Sequence, residues 1–155
     1  MNKNIPAFLS SLTALGVLIL SFSLDGNISI SDNLSKIGGL TLVYSGMTLV
    51  IWAAIYLRRG TYGLVQPGLE SLVQKGPYRY ARHPFYFGMS LALAGVAISV
   101  KSGLALLYWL LVYLPSIYFR AKAEEHILAE KFTEDWTAYE NRTGFFIPRF
   151  RQKEK

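Results

Sequence analysis

Cysteine is absent from this chain, which excludes disulfides, thiolate metal sites and cysteine nucleophiles. Histidine is nearly absent: His83 and His126 are too few for a histidine-rich metal centre, so no metal is expected. Charge is scarce as well, at 17% of 155 residues, against 52% hydrophobic residues. That balance points towards a membrane protein more than a soluble domain. The phosphate-cradling glycine loop, the soluble dinucleotide fingerprint and the His-Glu-x-x-His motif are missing too. A net charge of +6 could suit nucleic acid, but no basic, aromatic-interleaved soluble module accompanies it. No nucleic-acid partner is expected. The cations instead flank apolar segments, as they do at membrane boundaries.

Four apolar runs can be marked: Ile5 to Leu24, Ile37 to Leu57, Phe85 to Val100 and Gly103 to Phe119. The first two are long enough to span a bilayer. The first is also longer than a usual signal-peptide core, so it is expected to persist as a membrane helix. The third has 16 residues and makes a helix of about 24 Å, short against a hydrocarbon core of about 30 Å. Lys101-Ser102-Gly103 should join it to the fourth as a tight, firmly coupled hairpin. Lys101 can snorkel to the interface while neighbouring helices cover the mismatch. The fold class expected is all-α: a polytopic bundle of about four membrane helices in one domain, residues 1–155.

Lys and Arg are distributed unevenly between the two sides. The N-terminus carries one, the 58–84 loop five and the tail from Arg120 eight, leaving only Lys36 and Lys101 opposite. Positive loops stay inside, so both termini and the central loop are expected in the cytoplasm. That loop holds Gly60, Gly63, Gly68, Gly76, Pro67 and Pro77, and should be mostly irregular. Leu69 to Val73 could be extended or form one helical turn. In the tail, Ile127, Leu128, Phe132, Trp136 and Tyr139 recur between charges, which predicts an amphipathic cytosolic helix over about 120–141. Thr143-Gly144 is its stop, and Arg149 to Lys155 reads as a solvated basic end.

Two polar clusters then stand at the cytoplasmic ends of the apolar hairpin. The first runs from Gly76 to Gly88 and holds Tyr78, Arg79, Tyr80, Arg82, His83, Pro84, Phe85 and Tyr86. Polar chemistry at a membrane boundary is costly and marks a functional site by default. Pro84 suits the first position of a helix, whose free amides can bind a carboxylate or phosphate. Gly88, one turn in, implies close approach by a backbone or a ligand. The second cluster is Arg120-Ala-Lys-Ala-Glu124-Glu125-His126. Arg120 and Glu124 are four apart and share a helix face. His126 points elsewhere and reads as incidental. Pro115 should kink the fourth helix and free the carbonyl of residue 111. Trp52 and Trp109 read as lipid-facing or packing aromatics.

Together, Leu72-Val73-x-x-Gly76-x-Tyr78-x-x-x-Arg82-His83-Pro84-x-Tyr86-x-Gly88 and Glu124-Glu125-x-x-Leu128-x-x-x-Phe132-x-x-x-Trp136-x-x-Tyr139 form two ordered motifs. They resemble the isoprenylcysteine carboxyl methyltransferase family, which is related to the integral-membrane phospholipid methyltransferases. The resemblance covers residues 69–148. It implies S-adenosylmethionine as methyl donor, held at the cytosolic face between the last membrane helices and the C-terminal helix. Leu72, Val73 and Tyr78 would line that site from the loop. His83, Pro84, Phe85 and Tyr86 would form its wall, and Glu124 would close it. Arg120 falls at the family's substrate-contacting arginine, so Arg120 and Glu124 are the catalytic candidates. Members often carry glycine at the position of Thr133 and tyrosine at that of Trp136.

The function expected is methyl transfer to a lipophilic acceptor within the bilayer, of the isoprenylcysteine carboxyl type. Phospholipid amine methylation is the nearest alternative. An NADPH-dependent sterol or isoprenoid reductase shares a His-Pro-x-Tyr segment but is usually much larger. A non-catalytic membrane scaffold would explain the bundle and leave the paired clusters without a purpose. The sequence sets neither the acceptor nor an oligomeric state.

Overall fold

The computed structural model describes residues 5–23, 28–58 and 72–149. Along the chain lie α1 (Ile5–Ser23), α2 (Asp32–Arg58), a 3₁₀ turn (Gly76–Arg79) and α3 (Pro84–Ser99). They are followed by α4 (Gly103–Tyr108), a π turn (Trp109–Tyr113) and α5 (Leu114–Arg142). The chain forms the all-α membrane bundle expected from its sequence. The readings of Lys3, of Leu69 to Ser71 with the loop from 59 onward, and of the basic end after Arg149 lie outside the described residues. Leu72 to Gln74 are irregular chain leading into the 3₁₀ turn.

Three helical stretches are long and apolar enough to cross a membrane: Pro6–Ser23, Asp32–Leu57 and Gly103–Arg142. The part of the last that precedes Thr133 alone runs about 45 Å, well beyond the hydrocarbon thickness of about 30 Å. Its uncharged part ends at Phe119 and charge begins at Arg120, so the remainder projects beyond the bilayer. The short α3 is the central helix, with α1, α2 and α4 all packed on it. Half of its residues are buried, including Gly88, Ser90, Leu93 and Ala97. Protein covers this helix, which relieves it of matching the lipid by itself.

Glycines set the contact between α2 and α3. Gly39 meets Gly95, and Gly46 meets Gly88, seven residues apart on both helices. A Cβ on Gly46 would lie 2.5 Å from Gly88 O, and one on Gly95 would lie 2.6 Å from Gly39 O. Only glycine permits such backbone contact. Lipid offers no hydrophobic drive between helices, so close van der Waals packing holds this pair together. The close approach anticipated at Gly88 is therefore made by the α2 backbone. The tightest approach lies between α2 and α3, whereas the coupling expected from sequence was between the third and fourth apolar runs.

That hairpin closes through a Schellman turn. Ser102 N–H donates to Ala97 O (2.9 Å) and Lys101 N–H to Ile98 O (3.0 Å). Lys101 takes the left-handed position, φ 59°, that glycine usually fills. Its ammonium pairs with Asp32 at the start of α2. Ser102 caps α4, accepting from Ala105 N–H. At Pro115, where a kink is expected, the helix widens into a π turn: Leu114 N–H reaches back five residues to Trp109 O. The widened turn gives the proline ring room against the preceding carbonyl. The sharp bend comes at Thr133, whose φ of 31° and ψ of −92° are non-helical. Trp52 is exposed, and Trp109 donates its indole N–H to Ser90 O at 3.0 Å.

Candidate functional site

Pro84 takes the first position of α3, as its missing N–H allows. His83 stands just before it, and its ring bonds none of the helix amides. The Phe85 and Tyr86 amides therefore keep their donor capacity, while Phe87 N–H donates to His83 O at 3.1 Å. A backbone clip fixes this entrance to the helix. Arg82 N–H donates to Gly144 O (2.8 Å), His83 N–H to Phe145 O (3.1 Å), and Gly144 N–H to Tyr80 O (3.1 Å). The chain leaving α5 at Thr143 thus returns against the chain starting α3. Upstream, Gly76 (φ 61°) packs on the Tyr56 ring, where a Cβ would come within 2.5 Å.

Glu125 is the hub of the first polar network. Arg82 Nε donates to its Oε1 at 2.6 Å, His83 Nε2 lies 3.3 Å from the same oxygen, and Lys122 Nζ donates to Oε2 at 2.8 Å. Burial alone would push the Glu125 carboxyl up. Hydrogen bonds from His83, Lys122 and Arg82 outweigh burial and hold it down at about 2. Bonding to this carboxylate raises the Lys122 ammonium in turn. Arg82 also donates to Glu140 O (3.2 Å) and Thr143 O (2.8 Å), so one guanidinium ties α3's entrance to the end of α5.

Glu124 centres the second network. Tyr86 donates its hydroxyl to Glu124 Oε1, and Arg120 Nε reaches that oxygen at 3.3 Å. The Arg120 guanidinium also lies over the Tyr86 ring, 5.0 Å from its centroid. Both side chains of the Arg120–Glu124 pair are largely buried, at 15% and 18% exposure, which separates it from an ordinary surface ion pair. Tyr78 is buried too. Burial first, and then the Glu124 charge, push its phenol well up from its ordinary value. Its backbone carbonyl accepts from the Tyr139 hydroxyl at 2.8 Å.

Aromatic rings join the two networks. His83 stacks on Tyr86 (5.7 Å between centroids) and meets Phe145 at 4.9 Å. Phe145 and Phe146 are in edge contact at 4.5 Å. Arg82 and Lys122 lie over the Phe145 ring at 5.7 and 5.0 Å. Cations, carboxylates and π-faces thus converge where the α3 N-terminus, α5 and the C-terminal segment meet. Such a mixture can hold a zwitterion and face a sulfonium or ammonium.

Of the residues singled out from sequence, the structure brings Tyr78, His83, Pro84, Tyr86, Arg120 and Glu124 into this region. Phe85 stands beside Tyr86, at 6.0 Å between rings. Leu72 and Val73 are half-buried in the approach to the 3₁₀ turn. His126 is exposed and sits 3.3 Å from Glu130. Sequence reasoning missed Glu125, because only the rotation of α5 against α3 reveals which of two adjacent glutamates meets Arg82 and His83. It also missed Phe145 and Phe146, whose role depends on the clip, and Ser10 of α1, which accepts from Arg120 at 2.7 Å.

A model of the phospholipid methyltransferase family matches residues 34–135. The protein-S-isoprenylcysteine O-methyltransferase of Saccharomyces cerevisiae is 31% identical over 77 residues, which are 50% of this chain and 32% of that protein. The match therefore spans about a third of that relative's length.

Proposed function

Because the chain belongs to the phospholipid methyltransferase family, we propose that it is an integral-membrane methyltransferase that takes its methyl group from S-adenosylmethionine. The acceptor is a lipophilic molecule, of the isoprenylcysteine carboxyl type, as in the name of the yeast relative. The observation that carries this reading is the Tyr86–Glu124–Arg120 group, largely buried at the start of α3.

The residues present fit such a donor. Tyr86 and Arg120 both engage Glu124 Oε1, so the carboxylate is held in place to accept from an ammonium. The first-turn amides of α3 suit an anionic carboxylate, and the His83, Tyr86 and Phe145 rings suit a cation. Leu72, Val73, Tyr78, Pro84 and Phe85 supply the remaining wall. Bound S-adenosylmethionine supplies a methyl group on a sulfonium, open to in-line displacement. The task left to the chain is positioning in a dry site. Arg120 grips an acceptor carboxylate, or a lipid phosphate, through paired N–H donors. A carboxylate arrives ionised, so no side chain has to remove a proton from it. We place this site, with both termini, on the cytoplasmic face, where fourteen of the sixteen Lys and Arg residues fall.

Phospholipid amine methylation is the second reading, favoured by the matched family's description. The chemistry of the product separates the two. Purified protein would be given methyl-labelled S-adenosylmethionine with either a farnesylated cysteine derivative or phosphatidylethanolamine vesicles. A carboxyl methyl ester releases its label as volatile methanol in base, and a methylated amine does not. Base-labile label on the farnesylated acceptor is expected. Label only on the vesicle lipid would transfer the assignment to the amine, and no transfer to either would overturn the acceptor class.

A further inference from the structure

Arg120 is held from a helix that lies outside both the matched family region, 34–135, and the two sequence motifs. Its NH1 donates to Ser10 Oγ of α1 at 2.7 Å. Ser10 is only 3% exposed, and its hydroxyl donates in turn to Ala7 O at 3.0 Å. Its single proton is committed to that carbonyl, so its oxygen faces Arg120 as an acceptor. One turn deeper, Thr13 and Ser116 join the same two helices through a hydroxyl pair at 2.8 Å. That second bond sets the register of α1 on α5, and the Ser10 bond aims the guanidinium.

We propose that Ser10 is a positioning residue for the acceptor site. It acts through Arg120, fixing the guanidinium plane between Glu124 and the Tyr86 ring so that the remaining N–H donors meet the acceptor's anionic group. The physical reason is the freedom of an arginine head. Glu124 at 3.3 Å holds Nε alone, and a cation over the Tyr86 ring is free to turn about its own axis. A second, charge-assisted bond at NH1 removes that rotation. A contact that grips the acceptor equally in the ground and transition states appears in KM and leaves kcat unchanged. The inference rests on the methyltransferase reading for its functional consequence, and on geometry alone for the contact.

Two measurements on the full-length, detergent-purified protein test it. A double-mutant cycle in thermal unfolding, with Ser10→Ala and Arg120→Gln, needs no activity. Non-additive effects are expected, and additive effects would remove the contact and the proposal with it. Methylation kinetics with a farnesylated cysteine derivative then test the role. Ser10→Ala should raise the acceptor KM about tenfold with kcat little changed, and Ser10→Thr, which keeps the hydroxyl, should restore it. Thr13→Val removes the neighbouring interhelical bond and should leave KM near wild type. An unchanged KM in Ser10→Ala, or an equal rise in Thr13→Val, would overturn the positioning role. Wild-type protein that neither binds nor uses S-adenosylmethionine would defeat the methyltransferase reading, and the unfolding cycle would still decide the contact.

Discussion

Removing the Glu125 carboxylate should do more damage than any other single charge change at the end of the bundle where α3 begins. Three cationic or potentially cationic groups converge on it: Arg82 at 2.6 Å, Lys122 at 2.8 Å and His83 at 3.3 Å. Lys122 is half exposed and can turn to water, so its loss costs little. Arg82 cannot, because its side chain is 9% exposed and its other acceptors are two backbone carbonyls and the more distant Glu140 carboxylate at 3.5 Å. Glu125→Ala therefore strands a buried guanidinium, which costs about 3–5 kcal/mol. Glu125→Gln keeps an acceptor oxygen and should cost about 1.5–3 kcal/mol. Thermal unfolding in detergent, followed by tryptophan fluorescence, reads both. Arg82→Met/Glu125→Met should lose less than Glu125→Ala, since no charge is left unpaired. A Glu125→Ala variant within about 0.5 kcal/mol of wild type, or a double variant worse than either single change, would refute the reasoning.

Gly88→Ala would place a Cβ 2.7 Å from Gly46 O and 3.0 Å from Val50 N, both backbone. It should cost about 1–3 kcal/mol, whereas Gly38→Ala, which meets nothing within 4 Å, should be neutral or stabilising; equal effects on the unfolding temperature would contradict the glycine seam. Thr133→Gly should raise stability by about 1 kcal/mol, because a β-branched residue at φ 31° is strained; a lower midpoint would count against strain at the bend. Acid should expose the Glu125 network. A carboxyl held near 2 against an ordinary 4.5 contributes its stability above 4.5 and loses it as pH falls through about 2. The unfolding midpoint should decline over that window, and Glu125→Gln should flatten the decline; an unaltered slope would exclude Glu125 as its source.

The membrane helices were legible because long uncharged runs have few alternatives, and Pro84 and Thr143-Gly144 announced their boundaries by local chemistry. Arg120 and Glu124 could be paired from their spacing alone. Their neighbours could not. Whether Glu124 or Glu125 meets His83 depends on a rotation of α5 that no local pattern encodes, and Ser10 lies 110 positions from the arginine it holds. The glycines of α2 and α3 carried a seven-residue spacing that becomes informative only once the two helices are known to be antiparallel partners. Pro115 announced an irregularity but not its form: the helix widens over Trp109–Tyr113, just before the proline, and no local pattern encodes that.

Calorimetric titration of the purified protein with S-adenosylmethionine and S-adenosylhomocysteine tests the central claim most directly. Saturable binding of both is expected. Glu124→Ala should weaken it at least about tenfold, as loss of a hydrogen-bonded charge does, while its unfolding midpoint still reports a folded bundle. Absence of saturable binding by the folded wild-type protein would contradict the methyltransferase assignment.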